Sequence, residues 1–152
     1  MITVRNLSAD PFIANPDSAR LIEEYRAECQ NVGLGITPAP DFRRYRALDA
    51  AGMLHVCAAF DTGTMVGFAV VMTTAVPHYA GLPIASTESV FCTERYRSKG
   101  VGRMLIRKAR EMAKDAGAPG LYVSAPAGSR FERLLELTAK RTNSVFFFED
   151  PE

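Results

Sequence analysis

Residues 92–111 read CTERYRSKGVGRMLIRKARE. Gly100 and Gly102 stand two apart among basic residues, and a helical pattern starts directly after them. Glycine weakens a helix, and a helix N-terminus already carries partial positive charge. Glycines and cations at such a mouth therefore need a reason. The first N–H groups of a helix have no internal acceptor, and with the dipole they form an anion site. Glycine lets a large anion approach that backbone. Between Glu94 and Arg110 lie seven basic residues (Arg95, Arg97, Lys99, Arg103, Arg107, Lys108 and Arg110), opposed only by Glu94. A solvated basic helix face explains the charges alone. Strand, loop, glycines, cations and helix together point to an anion with several charges, such as a pyrophosphate.

Working outward, "IASTESVFC" before the loop reads as a strand. After it, Val101, Leu105, Ala109 and Met112 form one apolar stripe, and Gly117 ends the helix. Upstream, "TVRNL" reads as a strand and "DSARLIEEYRAECQNVG" as a helix, with Asp17 or Ser18 as N-cap and Gly33 past its end. Leu21, Ile22, Tyr25 and Cys29 share one face of that helix. After the loop "TPAPD", "FRRYRALDAAG" reads as a shorter helix. "MLHVCAAF", the turn "DTG" and "MVGFAVVMTTAVP" read as a hairpin. Downstream, "GLYVSAP" reads as a strand, Phe131 to Lys140 as a helix and "SVFFFE" as a last strand. The order is β-α-α-β-β-β-α-β-α-β. Three consecutive strands followed by alternation predict an α/β fold, a mixed α+β sheet with helices on both faces. No linker or repeat interrupts residues 1–152, which are expected to form a single domain.

Composition excludes several functions. Apolar content of 47% and charged content of 23% are globular values, and the formal net charge is only +1. A nucleic-acid partner is not expected, since the basic cluster has no interleaved aromatic beyond Tyr96. No apolar run has the length of a membrane span, and "MITVRNLSADPF" lacks a signal-peptide pattern. Cys29, Cys57 and Cys92 follow no metal spacing, and only His55 and His78 could join them. No metal is expected. Buried thiols in a reducing, cytoplasmic setting are the expectation.

The glycine motif is neither of the two common nucleotide loops. No Gly-Lys-Ser/Thr follows it, and a dinucleotide fingerprint would need a third glycine where Leu105 stands. "RYRSKGVGRML" instead resembles the R/Q-x-x-G-x-G/A signature of the GNAT superfamily of N-acetyltransferases, matched by Arg97, Gly100 and Gly102. The element order resembles that fold along almost the whole chain. The resemblance implies that backbone amides of Ser98, Lys99, Gly100, Val101, Gly102 and Arg103 cradle the pyrophosphate of acetyl-CoA. It implies that Val90, Phe91 and Cys92 pair through their main chain with the pantetheine arm. It also implies splayed central strands, with "GLYVSAP" diverging to admit that arm.

The implied chemistry is acetyl transfer from a thioester to a primary amine of a small molecule or protein, by direct attack. Such an amine is mostly protonated near neutral pH and needs a base. Glu88 is the candidate, four residues before Cys92 on one strand and so expected on the same face. In the histone-acetylating branch of the superfamily, a Glu at the corresponding place acts as base, often through water. Two departures from the family pattern stand out. The Tyr that many members use to protonate the leaving thiolate is replaced by Leu134 or Leu135, and Ala127 lies near the place of a usual Asn. His78 and Tyr79 are candidates for that acid role, and Ser129 reads equally well as an N-cap. The missing Tyr favours an alternative, a catalytically weak acyl-CoA-binding or regulatory module; Glu88 favours the enzyme. The acceptor is expected to meet residues 31–42, the loop around His78 and the C-terminal strand. "SVFFFE" is an edge hazard unless covered, and is expected to pack on the sheet, either in a homodimer contact or as a closing strand of one chain.

Overall fold

The computed structural model describes residues 1–30 and 37–148. Five strands form one sheet in the order β1-β2-β3-β4-β5. They are β1 (Ile2–Leu7), β2 (Leu54–Asp61), β3 (Thr64–Ala75), β4 (Pro83–Cys92) and β5 (Leu121–Tyr122). The first three pairings are antiparallel and β4–β5 is parallel, so the sheet is mixed as expected. Helices α1 (Ala9–Ala14), α2 (Pro16–Gln30) and α3 (Phe42–Ala50) cover one face, and α4 (Val101–Asp115) covers the other. A short α5 (Arg130–Glu136) follows β5.

Strands β2 and β3 are buried on both faces, which is why they read as near-continuous apolar runs. Cys57, Ala59, Ala69 and Val71 pack with Val101, Leu105, Ala109 and Met112 of α4. Val56, Phe60, Phe68 and Val70 pack with Phe12, Leu21, Ile22 and Tyr45. The α4 stripe read from sequence is thus the core face, and Gly117 follows the helix at φ +85°.

Some expectations are corrected. The helix read from Asp17 onward is α2 and begins at Pro16, with the Asn15 side chain accepting from the Asp17 N–H at 2.9 Å, so Asn15 takes the capping role expected of Asp17 or Ser18. Asp17 Oδ2 instead accepts from the Met65 N–H at 2.9 Å, and Ser18 is buried. Helix α1, capped at its end by Asn15, is too short to show a period in the sequence. The expected stop at Gly33 lies outside the described residues. "GLYVSAP" is reduced to the two paired residues of β5, and the last helix ends at Glu136 rather than Lys140. Residues 144–148 form no strand and pair with none of the five strands of the sheet. Phe146 and Phe148 stand 81% and 88% exposed, not packed on the sheet. Glu149 is outside the described residues. Among the described residues, no helix is long and apolar enough to cross a membrane.

One partly buried histidine gives the fold a pH dependence. His55 on β2 lies 3.0 Å from Thr73 Oγ1, and burial lowers its pKa while Asp49 opposes. The unfolded state therefore binds the imidazole proton at higher pH than the folded state. Stability is full above the ordinary imidazole range and falls as pH drops through that range and below it. Urea melts across that window are expected to show the fall, and His55→Gln is expected to flatten it.

Candidate functional site

Strand β4 leads directly into the glycine stretch. Glu94–Lys99 form a 3-10 turn, Gly100 sits at φ +78° and ψ 6°, and α4 starts at Val101. That left-handed φ is the one position in the loop that requires glycine. Gly100 caps α4 without a side chain, so the first-turn N–H groups of α4 receive no side-chain partner from it. A Cβ built on Gly100 or Gly102 would meet nothing within 4 Å, so the helix mouth opens onto free space. Ser98, Lys99 and Arg103 are exposed around it.

Two residues fasten this loop. Tyr96 is buried in the α4-side core, and its hydroxyl donates to Asp61 at 2.8 Å, which with the N-terminal ammonium holds that carboxyl below its usual range. Arg97 turns back onto β4: its Nε donates to the Cys92 carbonyl at 2.9 Å and its guanidinium pairs with Glu28 of α2. Arg97 thus shapes the loop from behind, while Lys99 lies with its ammonium 4.5 Å from the Tyr96 ring centre.

The edge of β4 beyond β5 is mostly free. Only Ala85↔Leu121 and Ser86↔Tyr122 pair, and Ser124 N–H then donates to the Thr87 hydroxyl at 3.3 Å rather than to the strand. From Glu88 to Cys92 this edge has no partner strand among the described residues, which leaves a slot beside the main chain of Val90, Phe91 and Cys92. The splay expected of the central strands is therefore present. Such an edge suits an extended ligand that bonds to main chain.

Glu88 sits at a β-bulge. On β3, Val70 pairs with Ser89 and Val71 with Thr87, which leaves Glu88 as the extra residue. A bulge re-aims its side chain and resets the alternation. This corrects the expectation that Glu88 shares the face of Cys92. Cys92 belongs to the α4-side core, whereas Glu88 and Ser89 line a cavity on the opposite face, beside α2 and α3. There Glu88 Oε2 accepts from the Tyr45 hydroxyl at 2.7 Å and from the Ser89 hydroxyl at 2.9 Å. Oε1 has no partner among the described residues. Burial first, and then the Glu88 charge, raise the Tyr45 pKa, so this phenol is a donor and not a base. Tyr45 is the residue that sequence reading missed. It lies 43 positions from Glu88 in a helix rich in arginine, and no local pattern links the two.

His78 and Tyr79 fall in a 3-10 turn between β3 and β4. Their rings stack edge-on at 4.8 Å, both side chains are exposed, and neither lines the cavity that holds Glu88. Ser129 caps α5, accepting from Glu132 N–H at 3.0 Å. Burial pushes the thiols of Cys57 and Cys92 up to about 12 and about 11, so neither is a ready thiolate nucleophile near neutral pH.

A family model described as the acetyltransferase (GNAT) family matches residues 19–135. No curated protein sequence matches the chain. Among solved structures, an aminoglycoside acetyltransferase from an uncultured soil metagenomic sample, crystallised with sisomicin, is 16% identical with a TM-score of 0.74, over 99% of this chain and 97% of that one. A ribosomal-protein-alanine N-acetyltransferase from Brucella melitensis biovar Abortus 2308 is 18% identical with a TM-score of 0.73, over 99% of both chains. A protein from Clostridium acetobutylicum described as a predicted acetyltransferase, solved with acetyl-CoA, is 13% identical with a TM-score of 0.71, over 98% of this chain and 96% of that one. At these identities the likeness is one of fold.

Proposed function

The chain belongs to the GNAT acetyltransferase family, and from that premise we propose that it moves an acetyl group from acetyl-CoA directly to a primary amine, with Glu88 as general base. The observation that carries this reading is the bulge. It turns a carboxylate into a cavity at the point where the free edge of β4 begins, on a line that ends at the open mouth of α4. Amides of residues 98–103 would hold the pyrophosphate, and the edge at Val90, Phe91 and Cys92 the pantetheine arm. The amine enters from the cavity. Its proton passes to Glu88, directly or through water, and its nitrogen attacks the thioester carbon. The bulge leaves main chain unpaired beside Glu88, a source of N–H donors for the oxyanion. The nitrogen of the tetrahedral intermediate gives up its second proton to solvent, the C–S bond breaks, and CoA departs as the thiolate, which takes its proton from solvent. High thiol pKa values at Cys57 and Cys92 support direct attack over a cysteine acyl-enzyme. The relatives that acetylate aminoglycosides or a protein alanine support an amine acceptor.

A ligand that binds only the folded state raises the melting temperature with concentration. Acetyl-CoA and CoA are expected to do so, ADP more weakly. The absence of any rise at millimolar acetyl-CoA, in a protein that melts cooperatively, would sink this reading. The second reading, a binding or regulatory module, draws on Leu134 and Leu135 standing where many members carry the acid Tyr.

The three unpaired cysteines support a cytoplasmic setting. The exposed run Val145–Phe148 supports a homodimer. Sedimentation is expected to give a dimer that dissociates when Phe146 and Phe148 are both changed to Ser; a monomer at high concentration would refute it.

A further inference from the structure

Resting on the acetyltransferase reading above, we infer that the acceptor is a small monoamine carried on an apolar body the size of an aromatic ring. The cavity entered by Glu88 measures about 330 Å³, near the lower end of small-molecule pockets. Phe68 and Met72 of the sheet form its floor, Leu48 of α3 one wall, and Pro38 and Pro40 of the described loop another. These groups offer contact area and no hydrogen bond.

Charge decides how many ammonium groups fit. Among the described residues that line it, only Glu88, Asp41 and Arg44 are charged, a net charge of one negative. The Asp41 carboxylate caps α3, accepting from the Arg44 N–H at 3.1 Å, and Arg44 is itself a cation. Glu88 remains, with two donors already on Oε2 and Oε1 open. One ammonium is matched there. A polyamine would place its further charges against Leu, Met and Phe or beside Arg44, at a desolvation cost nothing in the cavity offsets. A very small amine would satisfy Glu88 but leave the apolar walls uncovered. An arylalkylamine meets both requirements.

The test is a calorimetric titration of the protein with 2-phenylethylamine, methylamine and spermidine, alongside the acetyl-CoA melting series. Binding of 2-phenylethylamine is expected to be tighter than that of methylamine by about tenfold or more, from the buried ring. Spermidine is expected to bind no better than methylamine. Met72→Gln, and Ala39→Trp in the exposed loop lining the cavity, are each expected to weaken 2-phenylethylamine about tenfold while the rise with acetyl-CoA persists. Equal binding of the three amines, or tighter binding of spermidine, overturns the inference and leaves the acetyltransferase reading standing. Failure of acetyl-CoA to shift the melting temperature overturns that reading, and the acceptor role with it, whatever the amines do.

Discussion

Replacing Glu88 by Gln is expected to lower turnover by about 10²–10⁴-fold, the usual contribution of a positioned general base. Gln keeps the length of the side chain and still accepts from the Tyr45 and Ser89 hydroxyls, whose 2.7 and 2.9 Å bonds hold the group in place. What it loses is the ability to take the proton of the incoming ammonium. The bulge is a backbone feature and remains, so the slot along β4 and the mouth of α4 are untouched. Acetyl-CoA should therefore shift the melting temperature of the variant as it does that of the parent. Steady-state rates at saturating acetyl-CoA read the result. A loss under tenfold would remove Glu88 from the base role and promote the binding-module reading. Loss of the acetyl-CoA shift together with turnover would mean that Glu88 supports the cofactor slot instead.

The second large effect concerns stability. Gly67 on β3 pairs with Cys92, the last residue of β4 before the glycine loop. A Cβ built there would lie 2.7 Å from the Phe91 carbonyl oxygen, 3.2 Å from Cys92 Cα and 3.1 Å from Leu105 Cδ1. The first two are backbone atoms of a paired strand and cannot swing aside. The third belongs to a fully buried side chain of α4. Gly67→Ala is expected to destabilise by about 3 kcal/mol, as overpacking does in a filled core. In a chain of this length that is a fall of roughly 6–12 °C in melting temperature, readable by circular dichroism. Gly67→Val should be worse. The same close approach seats the N-terminal half of α4 against the end of β4, so the Ala variant is also expected to bind acetyl-CoA more weakly at temperatures where it is folded. A variant that melts like the parent would show that α4 can lift from the sheet without loss.

Elements whose signals are local can be read from the chain alone. The α4 stripe, the Gly117 stop, the hairpin of β2 and β3 and the glycine loop were all legible, because helix period, turn chemistry and apolar runs are carried by neighbours in the chain. The anion-site reading of Gly100 and Gly102 rests on the same local logic, while the left-handed φ of Gly100 gives that glycine a backbone reason of its own. Tertiary structure alone decided the rest. Whether Ser144 to Phe148 makes a strand depends on a partner for its backbone, which those residues lack. The face of Glu88 depends on one extra residue in the register with β3. Counting by twos from Cys92 misses it, and a bulge reverses every side chain before it. The meeting of Glu88 with Tyr45, and the reason Gly67 bears no side chain, arise where segments far apart in the chain close on one another. No pattern within either segment records the other, so only packing could place the carboxylate, its phenol and the cavity they share.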